Sequence, residues 1–278
     1  MNLLGVVFGL ASAASWGAGD FSGGLASKRA NVYAVVMLSQ WAGLVLLAGL
    51  ALLFAEPVPP VADMGWAAGA GLAGGLALAA LYRGLAVGRM GVVAPISAVV
   101  SAAVPVLFGL YTEGLPGADQ LLGFAFAFIA VWLVSRSDSL DQARGQALVL
   151  ALLAGLGFGL FLIVIDRLSS TAVLWPLVTA RAASIFLISL TAVLLRQTAL
   201  PAPRHLPLIL VVGLFDAGGN ALYALAARAG RLDVAAVLSS LYPAATVLLA
   251  RFILQERLTR PQWIGVAAAL LAVVLIAV

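Results

Sequence analysis

The chain alternates between long apolar stretches and short polar breaks. Each stretch is about as long as the roughly 20 residues that a helix needs to cross a bilayer, and the breaks are rich in Pro, Gly and charged residues. The pattern predicts an all-α integral membrane protein with ten spanning helices, at residues 3–25, 32–54, 65–87, 91–112, 118–135, 146–166, 172–195, 207–228, 233–254 and 261–277.

Composition agrees with this pattern and limits the classes of protein. Hydrophobic residues make up 64% and charged residues 9% of the 278 residues, whereas about 25% of an average soluble domain is charged. Ten spans leave no room for an extramembrane ATPase domain. The chain has no cysteine and one histidine, His205, so we predict no metal site, cofactor or catalytic residues. The small net charge of +4 favours contact with lipid headgroups, not nucleic acid.

The predicted helices occur in two sets of five with matching polar breaks. The match between the two sets predicts two five-helix repeats, residues 1–140 and 141–278. Because five is an odd number, the second repeat enters the membrane from the opposite side, as in many secondary transporters with inverted repeats. An offset of 142 residues relates Gly17 to Gly159, Gly71 to Gly213, Gly88-Arg89 to Gly230-Arg231, Ser97 to Ser239 and Gly123 to Gly265.

The basic residues favour one orientation. Eleven Lys and Arg residues lie in or near the breaks that follow the odd-numbered helices, and three lie on the other side. Because basic residues concentrate on the cytoplasmic side, this distribution predicts that both termini lie outside.

Several motifs are similar to those of a known family. The chain carries Ser15-Trp16-Gly17, then Tyr82, Ala94-Pro95-Ile96, Glu113 and Gly123, and later Ser240-Leu241-Tyr242-Pro243, Glu256, Gln262 and Gly265. On these residues it resembles the EamA-type transporters of the drug/metabolite transporter superfamily over essentially its whole length.

This resemblance implies a ten-helix carrier in the cell (inner) membrane, commonly an exporter of amino acids, related metabolites or drugs. Helices 1–4 and 6–9 would line a central cavity, and both termini would be cytoplasmic, against the count of basic residues. The family often has an Arg in the second helix of each half. Arg181 matches in the second half, whereas the first half has Ser39-Gln40.

Two ionisable residues are predicted near the middle of their spans, where such groups are usually functional. The guanidinium of Arg181 in helix 7 is suited to bind a substrate carboxylate, or it forms a permanent ion pair. Asp216 in helix 8 shares a helical face with Asn220 and Tyr223. Since burial favours a protonated carboxyl group, Asp216 is a candidate proton carrier, a role that pairing with Arg181 would block.

Other residues are candidates for substrate contact. Asp20 in helix 1, with Trp16 four residues earlier, either binds substrate or reaches interfacial water. Glu113 and Glu256, at predicted helix ends, are assigned to capping or ion pairing. Pro95 and Pro243, predicted inside helices 4 and 9, are candidate hinges. The remaining candidates, which alternatively make contacts between helices, are Gln40, Tyr82, Ser97, Ser239 and Tyr242.

Together these features predict a secondary active transporter that exports small metabolites, such as amino acids or related drug-like solutes. It would work by alternating access around a midplane cavity. The expected partners are a small-molecule substrate, the lipid bilayer and protons, and the expected state is a monomer or homodimer. The alternatives are a facilitator or channel, and a membrane-embedded lipid-modifying enzyme.

Overall fold

The computed structural model describes residues 3–112, 117–135, 142–166, 172–229, 238–239 and 241–277. Within these ranges the chain forms ten α-helices of twelve residues or more. A 3₁₀ turn at Pro203–His205 precedes the eighth. The helices are α1 (Leu3–Ser27), α2 (Val32–Leu53), α3 (Val61–Val87), α4 (Met90–Thr112), α5 (Ala118–Ser135), α6 (Gln142–Asp166), α7 (Leu174–Leu194), α8 (Leu206–Ala229), α9 (Tyr242–Ile253) and α10 (Arg260–Ala277).

The observed helices follow the predicted apolar stretches with small shifts at their ends. α3 begins four residues earlier than predicted, because the acidic side chain of Asp63 in its first turn is compatible with a helix start. α6 also begins four residues early, in a polar segment. Of the predicted span 233–254, residues 233–237 and 240 lie outside the described residues.

The two candidate hinge prolines occupy different positions. Pro95 is buried inside α4, as predicted. Pro243 lies in the first turn of α9, where a proline removes no helical hydrogen bond and fits the helix geometry. The prediction that Pro243 lies inside a helix is therefore wrong, although the prediction for Pro95 is confirmed.

Several helices have the length and composition of membrane spans. Among the described residues, six helical segments are long and apolar enough to cross a membrane. Three further apolar helices are shorter, and large side chains such as Leu52 and Phe186 are mostly exposed on the outer surface. Because such a surface is unsuited to water, the chain is a multi-pass membrane protein. The six segments are Leu3–Ser27, Val32–Leu53, Val61–Val87, Gly145–Val164, Leu174–Leu194 and Pro203–Tyr223.

The main helix contacts join the first half of the chain to the second. α1 packs along α8 and α9, and α6 packs correspondingly along α3 and α4. α2 packs along α7, and α5 along α10. Asn31 at the start of α2 donates a hydrogen bond to Gln197 just after the end of α7, whereas Glu56 after α2 reaches the start of α7. α2 and α7 are therefore antiparallel.

Two glycines that match in the repeat lie where α3 and α8 come closest to α7 and α2, respectively. A Cβ atom at Gly71 of α3 would overlap the carbonyl oxygen of Ala180 in α7. In the reciprocal contact, a Cβ atom at Gly213 of α8 would overlap the carbonyl oxygen of Ser39 in α2. Any side chain at these positions would push the helices apart.

A second reciprocal pair of glycines brings α1 to α9 and α6 to α4. A Cβ atom at Gly17 would lie 3.0 Å from the backbone nitrogen of Thr246, and one at Gly159 would overlap the side chain of Val104. The hydroxyl of Thr246 also donates to the carbonyl of Gly17 at 3.1 Å. Gly17 and Gly159 are 142 residues apart, and so are their partners Val104 and Thr246. The offset in the sequence therefore corresponds to reciprocal contacts between the halves.

Two glutamates cap helix starts that belong to the other half. The carboxylate of Glu56 accepts hydrogen bonds of 3.0, 2.8 and 3.0 Å from the backbone N–H groups of residues 173–175, at the start of α7. The carboxylate of Glu256 accepts two bonds of 3.1 Å from residues 90 and 91, at the start of α4. A carboxylate at this position satisfies free N–H groups and favours the helix dipole. The capping role predicted for Glu256 is confirmed, and Glu113 lies outside the described residues.

α2 and α7 also end in the same kind of turn. The residues after their C-caps, Ala55 and Arg196, have positive φ angles of 47° and 55°. In each helix, the N–H groups of the two residues after the C-cap bond back to carbonyls in the last helical turn, which is the Schellman pattern. The second helices of the two halves therefore share their turn geometry as well as their packing.

We predict that Gly71→Ala destabilises the protein, because the new methyl group would overlap a backbone carbonyl that cannot rotate away. The expected loss is about 1–3 kcal/mol, the usual cost of overpacking. Thermal unfolding of the purified protein in detergent, followed by tryptophan fluorescence, would measure it.

Gly69→Ala, two residues earlier on the same helix, is the matched control. A Cβ atom there meets nothing within 4 Å, so its unfolding temperature should stay the same or rise slightly. Equal loss of stability in both variants would show that the glycine contact with α7 is not the cause.

Candidate functional site

Arg181 is the centre of a polar cluster inside the bundle. It is the eighth residue of α7 and is 6% exposed. Its Nη2 atom lies 2.6 Å from Oδ2 of Asp216 in α8, and its Nη1 atom donates to Oε1 of Gln40 in α2. The amide of Gln40 in turn donates to Oγ of Ser184 at 3.3 Å. One guanidinium therefore joins three helices.

Two small residues make room for this cluster, and the sequence pattern did not single them out. A Cβ atom at Gly43 would lie 2.7 Å from Nη1 of Arg181, so only glycine leaves space for the guanidinium. Ser184 supplies the acceptor for Gln40. Each lies three residues after a predicted site residue, on the same helical face, and that spacing is the signal that would have found them.

The face of α8 predicted to be polar points into the bundle. Asp216 pairs with Arg181, and the amide of Asn220 donates to the backbone carbonyl of Asp216 at 3.1 Å. Tyr223, one turn further on, meets the indole of Trp16. The ion pair that the sequence offered as an alternative is thus formed, and it occupies the carboxylate that the proton-carrier role requires.

Two tyrosine rings from different helices contact the ring of Trp16 beside the cluster. The ring centroid of Trp16 in α1 lies 5.9 Å from that of Tyr223 in α8 and 6.2 Å from that of Tyr242 in α9, the latter edge to face. A Cβ atom at Gly219 would overlap the indole, so this glycine allows Trp16 to lie against α8. We call Trp16, Tyr223 and Tyr242 the aromatic group.

Asp20 lies between the aromatic group and the Arg181 cluster. It follows Trp16 by one helical turn and lies seven residues before the end of α1. Its carboxylate is close enough to Asp216 to interact with it electrostatically, and likewise to Tyr82 and Tyr242. Close packing explains this, because a Cβ atom at the neighbouring Gly19 would touch the backbone of Asp216 at 3.4 Å.

Partial exposure of polar side chains on otherwise buried helix faces indicates a space between the helices, which we call the interior space. On α1, Trp16 and Asp20 are partly exposed although they lie in the middle of the buried face that includes Ser12, Ala13 and Gly17. On α8, three polar residues along one face are also partly exposed, although the positions on either side of them are buried. The exposed leucines of α8 lie on the opposite face. The α8 residues concerned are Asp216, Asn220 and Tyr223.

Two segments of the chain, residues 3–136 and 145–278, match the model of the EamA-like transporter family. The chain belongs to the EamA-like transporter family. The resemblance in its motifs is thus confirmed, and the double match shows a tandem repeat. A solved structure, described only as the crystal structure of a protein, has a TM-score of 0.66 at 13% identity and covers 99% of this chain and 98% of that one. No curated protein matches the chain.

The other predicted residues of this EamA-like transporter lie in helix contacts. The ring of Tyr82 is 1% exposed and packs on Gly23 of α1. Ser239 donates to the carbonyl of Gly9 at 3.4 Å, and Ser97 is buried without a hydrogen-bond partner for its hydroxyl among the described residues. No described contact joins either serine or Pro95 to Arg181, so the structure does not bring these three residues into the cluster.

Hydroxyl groups of α1 bond across to α8, although neither serine is a candidate site residue in the sequence. Ser12 donates to the carbonyl of Gly219 at 2.9 Å, and Ser15 donates to that of Phe215 at 2.6 Å. Both lie on the Gly-rich stretch of α1, and this combination of small and hydroxyl residues is typical of close helix pairs in membranes. In the described part of the chain, no three His, Cys, Asp or Glu residues are grouped as metal ligands.

Asp216→Asn should destabilise the protein because it leaves the guanidinium of Arg181 buried without a counter-ion. The expected loss is about 3 kcal/mol, at the low end for a broken buried pair because the Asp216 side chain is 28% exposed. Arg181→Gln should reduce stability by a similar amount, because it leaves the carboxylate of Asp216 without its counter-ion.

The double variant Arg181→Gln/Asp216→Asn removes both charges and should recover much of the lost stability. Thermal unfolding of all four proteins in the same detergent gives the coupling energy as a double-mutant cycle. Additive losses, with the double variant least stable, would contradict a net interaction between the two residues.

Proposed function

We propose that the protein is a secondary active transporter that exports a small organic solute by alternating access. The observation that carries this proposal is the polar cluster of Arg181, Asp216 and Gln40 beside an interior space, in a member of a transporter family. Charged residues are costly inside a membrane and are usually kept for function. A cluster at the junction of α2, α7 and α8 is placed where movement between the halves would change its access.

The mechanism requires two inverted halves, residues 1–140 and 141–278, with ten spans in all. The antiparallel contact of α2 with α7 supports it, because these are the second helices of the two repeats. The reciprocal packing of α1 on α9 and α6 on α4 supports it as well. Halves related by a pseudo-two-fold axis in the membrane plane can exchange conformations, which converts an outward-open state into an inward-open one.

The solute would bind among the residues that line the interior space. Arg181 is available to a solute carboxylate only after Asp216 has left it, since the pair is closed in this structure. The same step would free Asp216 to accept a proton. We therefore assign substrate anchoring by Arg181 and proton coupling by Asp216 to a single event, the opening of this pair. The lining residues are Trp16, Asp20, Asp216, Asn220, Tyr223 and Tyr242, supported by Gln40 and Tyr82.

Counterflow in liposomes tests the transport function. Vesicles that contain the pure protein and a high internal concentration of an amino acid, amine or antimicrobial should accumulate the labelled solute transiently and saturably. The charge-free variant Arg181→Gln/Asp216→Asn should lose this activity, whereas Asp119→Asn at the exposed start of α5 should keep it. Uptake that is linear in solute concentration would instead indicate a channel, and no counterflow with any of the solutes would contradict transport.

The inverted arrangement can be tested directly because the chain contains no cysteine. Val58 after α2 and Leu200 after α7 occupy equivalent positions and are 69% and 75% exposed. Val58→Cys and Leu200→Cys should react with a membrane-impermeant maleimide from opposite sides of the membrane. Labelling of both from the same side would contradict inversion.

The same labelling determines the orientation. Val58 lies two spans after the N-terminus, so it shares the side of that terminus. Reaction of Val58→Cys in intact cells would agree with the count of basic residues, and protection would agree with cytoplasmic termini.

A further inference from the structure

The charges inside the bundle do not balance. Three charged side chains of the described residues lie inward and away from helix ends, namely Asp20, Asp216 and Arg181. Arg181 is used by Asp216, so the cluster carries one negative charge in excess when both carboxylates are ionised. No hydrogen bond or ion pair of Asp20 is present among the described residues.

The helices packed against α1 bring no described cation to Asp20. The groups that face it from α3, α8 and α9 are Tyr82, Asp216 and Tyr242. α2 and α4 contribute no charged side chain in their described middle portions. Tyr223 of the aromatic group is a further titratable residue on α8. The remaining charged or titratable side chains that the structure describes on these helices lie towards helix ends, and they are Tyr33, Asp63, Arg83 and Arg251.

The guanidinium is closed to a solute carboxylate in this state. Two of its nitrogens are engaged by Asp216 and Gln40. The third, Nε of Arg181, has no partner but is buried away from any accessible surface. The ionisable groups that are partly exposed here are therefore the carboxyl groups of Asp20 and Asp216.

The walls beside Asp20 suit a cation with an organic body. Trp16, Tyr223 and Tyr242 are each partly exposed, and Trp16 lies one turn from Asp20. Aromatic faces attract cations, and Trp attracts them best. Burying a carboxylate in an apolar site costs free energy, and a positively charged partner buried beside it offsets most of that cost.

We propose that this site binds an amine or other organic cation with an aromatic or apolar body, and that Asp20 is its counter-ion. The aromatic group contacts the body and the cationic centre, while the Arg181–Asp216 pair stays closed. The bound cation makes the cluster electrically neutral. This inference rests on the proposed transport function and names the class of solute that the interior site accepts while the pair is closed. A solute carboxylate would reach Arg181 only in a different state, after the pair has opened.

Three probes with one aromatic body and different charge test the proposal. They are phenethylamine, phenylalanine and 3-phenylpropionate, whose charges near neutral pH are positive, zwitterionic and negative. Equilibrium binding of each to the purified full-length protein in detergent should favour phenethylamine over 3-phenylpropionate by at least about tenfold. Phenylalanine should be weaker than phenethylamine, because its carboxylate adds a second negative charge near Asp216.

Asp20→Asn should weaken phenethylamine binding by at least about tenfold, because the counter-ion is lost while the shape is kept. Asp20→Glu should retain part of the affinity, and Asp119→Asn is the matched acid-to-amide control on the periphery. Thermal unfolding of each variant checks the fold. If Asp20→Asn does not fold, binding of the three probes to the wild type and to Asp20→Glu still tests the proposal.

Stronger binding of phenylalanine or 3-phenylpropionate, or unchanged phenethylamine affinity in folded Asp20→Asn, would overturn the proposal. Absence of binding by all three probes would overturn it as well. Saturable counterflow of another solute in the liposomes would then leave the transport function standing, so the two failures are distinguishable.

Discussion

The ion pair between Arg181 and Asp216 places a guanidinium inside an apolar bundle, where its charge cannot be removed by deprotonation. Such a charge is tolerated where a counter-ion and further hydrogen bonds compensate for its desolvation. α8 supplies the carboxylate, α2 supplies an amide, and Gly43 leaves space for the planar group. The relative positions of α2, α7 and α8 are therefore tied to one side chain.

Close packing of the backbones makes this geometry possible. Hydrophobic burial does not favour contact between helices inside a membrane, so packing and polar bonds must hold them together. Glycines at the reciprocal contacts bring carbonyls and hydroxyls of different helices within bonding distance, as for Thr246 and Gly17. The same closeness brings Asp20 near Asp216, at a place where polar side chains stay partly exposed beside the buried apolar core.

Much of the fold was predictable because the bilayer fixes how long an apolar helix must be. The repeat offset and the depth of Arg181 in its span also follow from the sequence. The sequence offered Asp216 as one partner of Arg181 but could not decide between this pair and a guanidinium free for substrate, because the two residues lie on different helices and only packing decides whether they meet. Gly43 and Ser184 were missed since neither carries a distinctive chemistry of its own.

Helix ends were less predictable than helix middles. Pro243 was expected inside an apolar run, but it begins a helix, because hydropathy alone does not distinguish an interrupted run from a continuous one. The cap on α7 was missed for a different reason. N-caps are normally local, whereas Glu56 precedes the N–H groups that it caps by 117 to 119 residues.

These shared caps have a consequence for the biogenesis of the protein. The start of α4 is completed by Glu256, and α1 packs against α8 and α9, so the first five helices leave the ribosome long before the chain that covers them. Until synthesis is nearly complete, the N-terminal half lacks the Glu256 cap on α4 and the surfaces of α8 and α9 that its glycine contacts need. During this interval only water, lipid and other proteins can contact these groups.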